Sequence, residues 1–313
     1  MPSLSFDEGK DGRPIAVVKG GGDDGEVLYL HDDSLETTKK PKFVVDKMKY
    51  LADLKDLKPA EKTRAFAMIE EALKGDEEGI KSAPPKVRDL WERVQKEKDE
   101  SKAVVLDDGG LFELIPNPDP KKREVWYVTG TSGSGKSWIA RQYAEYYHKL
   151  FPKRDIYLIS KLDEDETLDK LKFLKRIPIK SLIEEYPKLE EFHESLTIYD
   201  DYDTLTGDAE KVVLKLIDDC AIMGRHHTAS MMCLSHYSTN YKKTRLILSE
   251  ATHIVVYPQA TSYHALRHLL KNYAGVDEDV LARHRKMGSR WLCYAKQFPT
   301  YMISQRSAEM LNF

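Results

Sequence analysis

The sequence holds only three cysteines in 313 residues, Cys220, Cys233 and Cys293. An odd number rules out a fully paired disulfide framework, and no two of them have the short spacing of a zinc or iron–sulfur ligand set. They read as reduced core thiols in a cytosol-like compartment, with a catalytic thiol as a remote second reading. Long apolar runs are also missing. No stretch approaches the roughly 20 apolar residues that a membrane-spanning helix needs. Met1-Pro2-Ser3-Leu4-Ser5 lacks the basic and apolar regions of a signal peptide. We therefore expect no transmembrane segment and no secretion signal. Strong net charge is absent as well, since 49 Lys+Arg against 52 Asp+Glu give −3.

That small total hides an asymmetry. Residues 221–313 carry 12 Lys+Arg against 5 Asp+Glu, a net +7, which leaves −10 for the first 220 residues. The same segment holds seven of the ten histidines. A positive segment on an otherwise acidic chain suits a polyanion partner, although solvated surface charge gives the same count. With 41% hydrophobic and 32% charged residues the composition is that of a highly charged globular protein. Its length suits one domain of ordinary size plus a smaller attachment.

What is present is a phosphate-loop pattern, G-x-x-x-x-G-K-[ST], at Gly130-Thr131-Ser132-Gly133-Ser134-Gly135-Lys136-Ser137. The pattern alone also fits a glycine-serine turn with a stray lysine, so its flanks decide. Glu124-Val125-Trp126-Tyr127-Val128-Thr129 precedes it as a short apolar run, the pattern of a buried strand. Ile139, Tyr143, Tyr146 and Leu150 follow at helical spacing until Pro152. Strand, glycine loop and helix N-terminus in that order make a nest of backbone N–H groups facing an anion. The Lys136 ammonium then reaches the β- and γ-phosphates and the Ser137 hydroxyl ligates magnesium, which implies ATP and Mg2+ as cofactors.

Upstream, Ile15-Ala16-Val17-Val18 and Glu26-Val27-Leu28-Tyr29-Leu30 flank a Gly/Asp cluster and predict a β-hairpin. From Phe43 to Lys102 the pattern is mainly helical. One helix opens at Pro59-Ala60-Glu61 and closes at Gly75 after Lys74, and another enters through Pro84-Pro85. This charged region carries no catalytic constellation and reads as a spacer or docking arm. We expect a boundary there, with residues 1–102 as N-terminal hairpin and helical extension and 103–313 as the P-loop domain with its basic C-terminal portion. An extended pair, Ala103 to Leu106 and Leu111 to Ile115, leads into that domain. Further strands are expected at 155–159, 196–199, 230–234 and 253–257, with an acidic helical stretch up to His193 and a helix from Val212 to Met223. A terminal hairpin is expected from Trp291 to Ala295 and Thr300 to Ser304. Apolar runs alternating with helices mean a mainly parallel sheet covered on both faces.

Leu196-Thr197-Ile198-Tyr199-Asp200-Asp201 delivers two carboxylates at a strand's C-terminal end, where α/β sheets place their ligands. Beside a phosphate loop, Asp200 is the expected magnesium ligand and Asp201 the group that polarises the attacking water. Asp203 competes but falls in the loop beyond. The 230–234 strand ends in Ser235-His236, and His236 is a candidate γ-phosphate or water sensor if that strand lies between the phosphate loop and the acidic strand. A structural histidine is the alternative. Arg225 and Arg245 compete for a finger supplied in trans to the phosphoryl group, and either could instead meet DNA or a carboxylate.

These residues resemble the packaging ATPases of the nucleocytoplasmic large DNA viruses, in the FtsK–HerA superfamily. The resemblance rests on Gly130 to Ser137, on Tyr199-Asp200-Asp201, on Gly224-Arg225-His226-His227 through Leu234-Ser235-His236, and on Thr244-Arg245-Leu246 to Ile254-Val255-Val256. It covers roughly Glu124 to Tyr257. Superfamily members commonly have Asp-Glu at Asp200-Asp201, and many have Gln at His236. The resemblance implies a RecA-like α/β core and a homo-oligomeric ring with ATP hydrolysed between subunits. It also implies double-stranded DNA as the substrate track, a capsid or portal-like partner, and a location at the viral assembly site in the host cytoplasm and in the virion. Lys242, Lys243, Arg283, Arg285, Lys286 and Arg290 are then candidates for the DNA track. A small-molecule P-loop kinase and a nucleotide-gated assembly factor without translocation are the competing readings.

Overall fold

The computed structural model describes residues 2–32, 47–73, 76–100, 103–106, 108–286 and 288–311. The expected helix start at Phe43 and the stop at Lys74-Gly75 lie outside them. Two compact units emerge, one of residues 33–104 and one of 2–32 with 105–313.

The larger unit begins with β1 (Ser3–Ser5), β2 (Gly12–Lys19) and β3 (Val27–His31). The expected β2–β3 hairpin is present, with a register shift between Pro14 and Ala16. The smaller unit is helical: α1 (Lys47–Tyr50), α2 (Pro59–Ala72), α3 (Glu78–Lys81) and α4 (Pro85–Glu100). Pro59 opens α2, where its missing N–H costs nothing, and the Glu61 carboxylate accepts from the Lys58 N–H at 2.8 Å. Phe66 and Ile69 of α2 pack with Val87, Leu90 and Val94 of α4 around a core of their own.

The chain then forms β4 (Ala103–Val105) and β5 (Leu111–Leu114). These two do not pair with each other, contrary to the expected extended pair. β5 pairs antiparallel with β2, which completes a four-stranded sheet in the order β1-β3-β2-β5, whereas β4 is an edge of the large sheet. The expected boundary at 102/103 is corrected accordingly: the hairpin belongs to one unit with residues 105–313, because β5 supplies the partner for β2's open edge.

The core follows as β6 (Val125–Thr129), α5 (Lys136–Leu150), β7 (Ile156–Ser160), β8 (Leu174–Arg176), α6 (Ile179–Glu184), β9 (Leu196–Asp200), α7 (Gly207–Met223), β10 (Ser230–Ser235), α8 (Tyr241–Glu250), β11 (His253–Val256), α9 (Tyr263–Ala274), α10 (Glu278–Lys286), β12 (Leu292–Ala295), β13 (Tyr301–Ser304) and β14 (Ser307–Met310). The sheet order is β4-β14-β13-β12-β11-β6-β10-β9-β7-β8. From β11 to β8 all neighbours are parallel, and β12 to β14 continue antiparallel. β6, β9 and β10 are buried at every residue, as strands covered on both faces must be. The chain is therefore a RecA-like α/β P-loop core with a mainly parallel sheet. Short β8 and α6 replace the single helical stretch expected up to His193, and β14 extends the expected terminal hairpin. Among the described residues no helix is long and apolar enough to cross a membrane.

Candidate nucleotide site

Strand register puts the chemistry in one row. Thr129 of β6 lies opposite Ser235 of β10, and Val256 of β11 opposite Thr129. Asp200 of β9 lies opposite Leu234 of β10 and Ser160 of β7. The phosphate loop and the acidic turn thus leave the same C-terminal edge of the sheet, with β10 between them. That is the order on which the sensor role of His236 depends.

The loop between β6 and α5 is bent by need. Gly135 has φ 113° and Gly133 φ 74°, in the left-handed region where a side chain is strained. At Gly130 close approach is the reason: a Cβ there would lie 2.7 Å from both Ser134 Oγ and the Tyr257 ring. The Gly130 N–H donates to the Ser235 carbonyl at 3.1 Å, which ties the loop to the end of β10. Lys136 is buried, and its Nζ donates to the carbonyls of Gly130 (2.8 Å) and Thr131 (3.3 Å). Burial pulls its pKa down, and Asp201, Asp200 and Asp203 oppose that. Ser137 sits half-buried in the first turn of α5, where unbonded N–H groups and the helix dipole favour an anion. Ser134 Oγ is buried with no hydrogen-bond partner among the described residues, so the loop retains polar capacity of its own.

Across the edge, Asp200 is 3% exposed. Burial, then the charges of Asp201 and Asp165, push its carboxyl up to about 7, while Lys136 and Ser160 pull it down. Ser160 Oγ approaches Asp200 Oδ2 at 3.4 Å. A buried carboxylate crowded by like charges is destabilised until a cation arrives, so Asp200, with the Ser137 hydroxyl across the edge, suits a hard divalent ion. No cluster of three or more His, Cys, Asp or Glu side chains forms a preset metal site among the described residues. Magnesium would consequently need the nucleotide's own oxygens, as its preference for phosphate and water predicts.

Asp201 has φ 51° at the turn after β9. Its Oδ1 lies 2.6 Å from His236 Nε2, which joins the expected water-polarising carboxylate directly to the expected sensor. Asp203, the competing carboxylate in the loop beyond, has a structural task. Its buried Oδ2 accepts from Ser235 Oγ (2.7 Å), His236 N (2.7 Å) and Tyr237 N (3.2 Å), and so fixes the end of β10 that carries His236.

The structure brings Lys136, Ser137, Asp200, Asp201 and His236 to this edge, and leaves both arginines out. Arg225 lies in the turn before β10, at the opposite edge and about 20 Å away by the ~3.3 Å rise of each strand residue. There it lines a cleft of about 820 Å³ with Arg13, Arg123 and Glu250. Arg245 lies midway along α8, which returns from the site edge to the start of β11. Two DNA-track candidates move as well. Lys243 Nζ lies 2.7 Å from Glu210 and donates to the Asp203 carbonyl at 2.8 Å, so it braces the acidic turn. Arg290 Nε donates to the Ser134 carbonyl at 3.0 Å, on the phosphate loop itself. Of the others, Arg283 pairs with Glu309 and Arg285 stacks over Tyr263, whereas Lys242 and Lys286 are exposed. No local motif marks Arg290, Asp203, Ser160 or Tyr257 as site residues.

The chain is 32% identical over 221 residues to uncharacterized protein V3 of Sputnik virophage, which covers 70% of this chain and 89% of that protein. No family model matches it. Similar solved structures include the genome packaging NTPase B204 from Sulfolobus turreted icosahedral virus 2 in complex with AMPPCP, at 14% identity and TM-score 0.40 over 60% of this chain and 98% of that one. Another is the cytoplasmic domain of the type VII secretion ATPase EccC of Thermomonospora curvata, at 11% identity and TM-score 0.40 over 68% of this chain and 28% of that one.

Proposed function

The chain belongs to the same family as the Sputnik virophage V3 protein, and from that premise, with the resemblance of its site motifs to the FtsK–HerA P-loop ATPases, we propose that it is an ATP-driven translocase packaging double-stranded viral DNA into a capsid. The observation that carries this reading is the placement of β10 between β6 and β9, which sets Lys136, Asp200, Asp201 and His236 on one edge. A kinase would need an acceptor pocket beside the loop. Here a second carboxylate and a histidine, 2.6 Å apart, face that space instead.

In this reading the loop's N–H groups and the N-terminus of α5 bind the phosphates, and Lys136 leaves the Gly130 and Thr131 carbonyls for the β- and γ-oxygens. Ser137 and Asp200 would hold magnesium, which would supply positive charge against the phosphates. Asp201 orients the attacking water, and the aspartate's short side chain leaves room for it. His236, hydrogen-bonded to Asp201 and anchored through its own N–H to Asp203, moves with the state of the γ-phosphate and passes that state to β10. Arg225, at the opposite edge of the sheet, or Arg245, on α8, completes the site of a neighbour in a homo-oligomeric ring. Lys242 and Lys286 contribute to the DNA track. A capsid or portal-like partner at the viral assembly site completes the assignment.

The test is ATP turnover with and without double-stranded DNA, together with mass in solution. DNA-stimulated turnover in an oligomer supports the reading. Phosphate transfer to a metabolite would identify a kinase, and nucleotide-dependent partner binding without DNA stimulation an assembly factor.

A further inference from the structure

Arg290 stands on the short connection between α10 and β12, 156 residues beyond the loop it touches. Its backbone is held: its N–H donates to Gln305 Oε1 at 2.8 Å, and the Gln305 N–H donates to Ser289 Oγ at 3.1 Å. From that support the guanidinium lies against Gly135. A Cβ on Gly135 would meet Arg290 Nη2 at 3.2 Å and Nε at 3.5 Å. Its Nε donates to the Ser134 carbonyl at 3.0 Å. The Ser134 carbonyl and the Gly135 N–H belong to one planar trans peptide and point in opposite directions. A cation holding that carbonyl from outside the loop therefore fixes the Gly135 N–H toward the inside, where a phosphate would lie.

We propose that Arg290 is a positioning residue of the nucleotide site, which sets the Ser134–Gly135 peptide so that its N–H serves the β-phosphate. The proposal rests on the nucleotide reading above and adds a residue to it. It also gives the antiparallel extension β12–β13 a functional tie to the loop, since Gln305 and Ser289 belong to that extension's support. The contact is charge-assisted and directional. Lysine would keep the charge but lacks the side-on Nε that makes the bond. Tyr257 closes the other end of the loop, its ring packed on Gly130, so both ends of the nest are set by residues from the β11–β12 side of the sheet.

The experiment uses the full chain labelled with 15N-glycine and titrated with ADP and magnesium, for wild type, Arg290→Ala and Arg290→Lys. The backbone N–H groups of such a loop cradle the α- and β-phosphates, so wild type should bind ADP with a large downfield shift of the Gly135 amide. Arg290→Ala should bind roughly tenfold more weakly, the loss expected from one charge-assisted hydrogen bond. Its Gly135 shift should be lost while its other glycine amides stay in place, and Arg290→Lys should not restore affinity. Wild-type affinity in Arg290→Ala, a retained Gly135 shift, or full rescue by lysine would overturn the positioning role and leave the nucleotide reading intact. Displacement of glycine amides throughout the sheet in Arg290→Ala would make Arg290 a prop for the fold and likewise overturn it. Failure of wild type to bind ADP would overturn both.

Discussion

Replacing Asp200 with asparagine should make the nucleotide-free protein more stable, and by a pH-dependent amount. Asp200 is buried beside Asp201 and Asp165, and its carboxyl is pushed from 3.8 to about 7. Between those pH values the folded protein holds a proton that the unfolded chain releases, so stability falls as pH rises through that window. The slope is about 1.4 kcal/mol per pH unit over roughly three units, an upper bound of about 4 kcal/mol by pH 8. If water entering the cleft recovers half of this, about 2 kcal/mol remains. The asparagine amide has nothing to ionise. Asp200→Asn should therefore match wild type at pH 4 and exceed it by about 2 kcal/mol at pH 8, read by urea unfolding without nucleotide or magnesium. The same ionisation governs the cation: magnesium–nucleotide affinity of wild type should fall about tenfold per pH unit below 7 and level off above it. A variant that is no more stable at pH 8, or whose advantage is equal at pH 4 and 8, would refute the claim that this carboxylate stores strain for a cation.

Four further outcomes follow from the geometry. Asp201→Asn should bind ATP with unchanged affinity but hydrolyse it at least 100-fold more slowly, in line with the loss of a general base; steady-state turnover beside equilibrium binding checks this. Asp203→Ala should cost about 3 kcal/mol by removing three hydrogen bonds to a buried carboxylate at the end of β10. It should also slow turnover by releasing His236, visible as a lower unfolding midpoint together with a lower kcat. Lys242→Ala with Lys286→Ala should weaken double-stranded DNA binding and reduce the slope of log K against log salt by about 1 to 2, whereas Lys243→Ala should impair turnover because that lysine braces the Asp203 turn.

The local parts of the site were legible because they are written in consecutive residues. A buried strand, a glycine loop and a helix start are adjacent at 125–137, and so are β9 and its two aspartates. The β2–β3 hairpin was legible for the same reason. What could not be read was pairing across distance. β5 completes the small sheet with β2 over nearly a hundred residues, and Arg290 reaches Ser134 over 156. β8 was hidden because Leu174-Lys175-Arg176 is short and charged, so it resembles the acidic helical residues around it. Asp203 looked like loop because its value lies in the β10 amides it accepts from. α8 carries a local signal in the sequence: Asn240 is its N-cap, accepting from the Lys242 N–H at 3.2 Å.

Whether ATP hydrolysis at this edge moves DNA is read out by displacement of a triplex-forming oligonucleotide from double-stranded DNA. Displacement should require ATP and magnesium and disappear in Lys136→Ala. Wild-type turnover of ATP without displacement, or displacement that persists in Lys136→Ala, would contradict it.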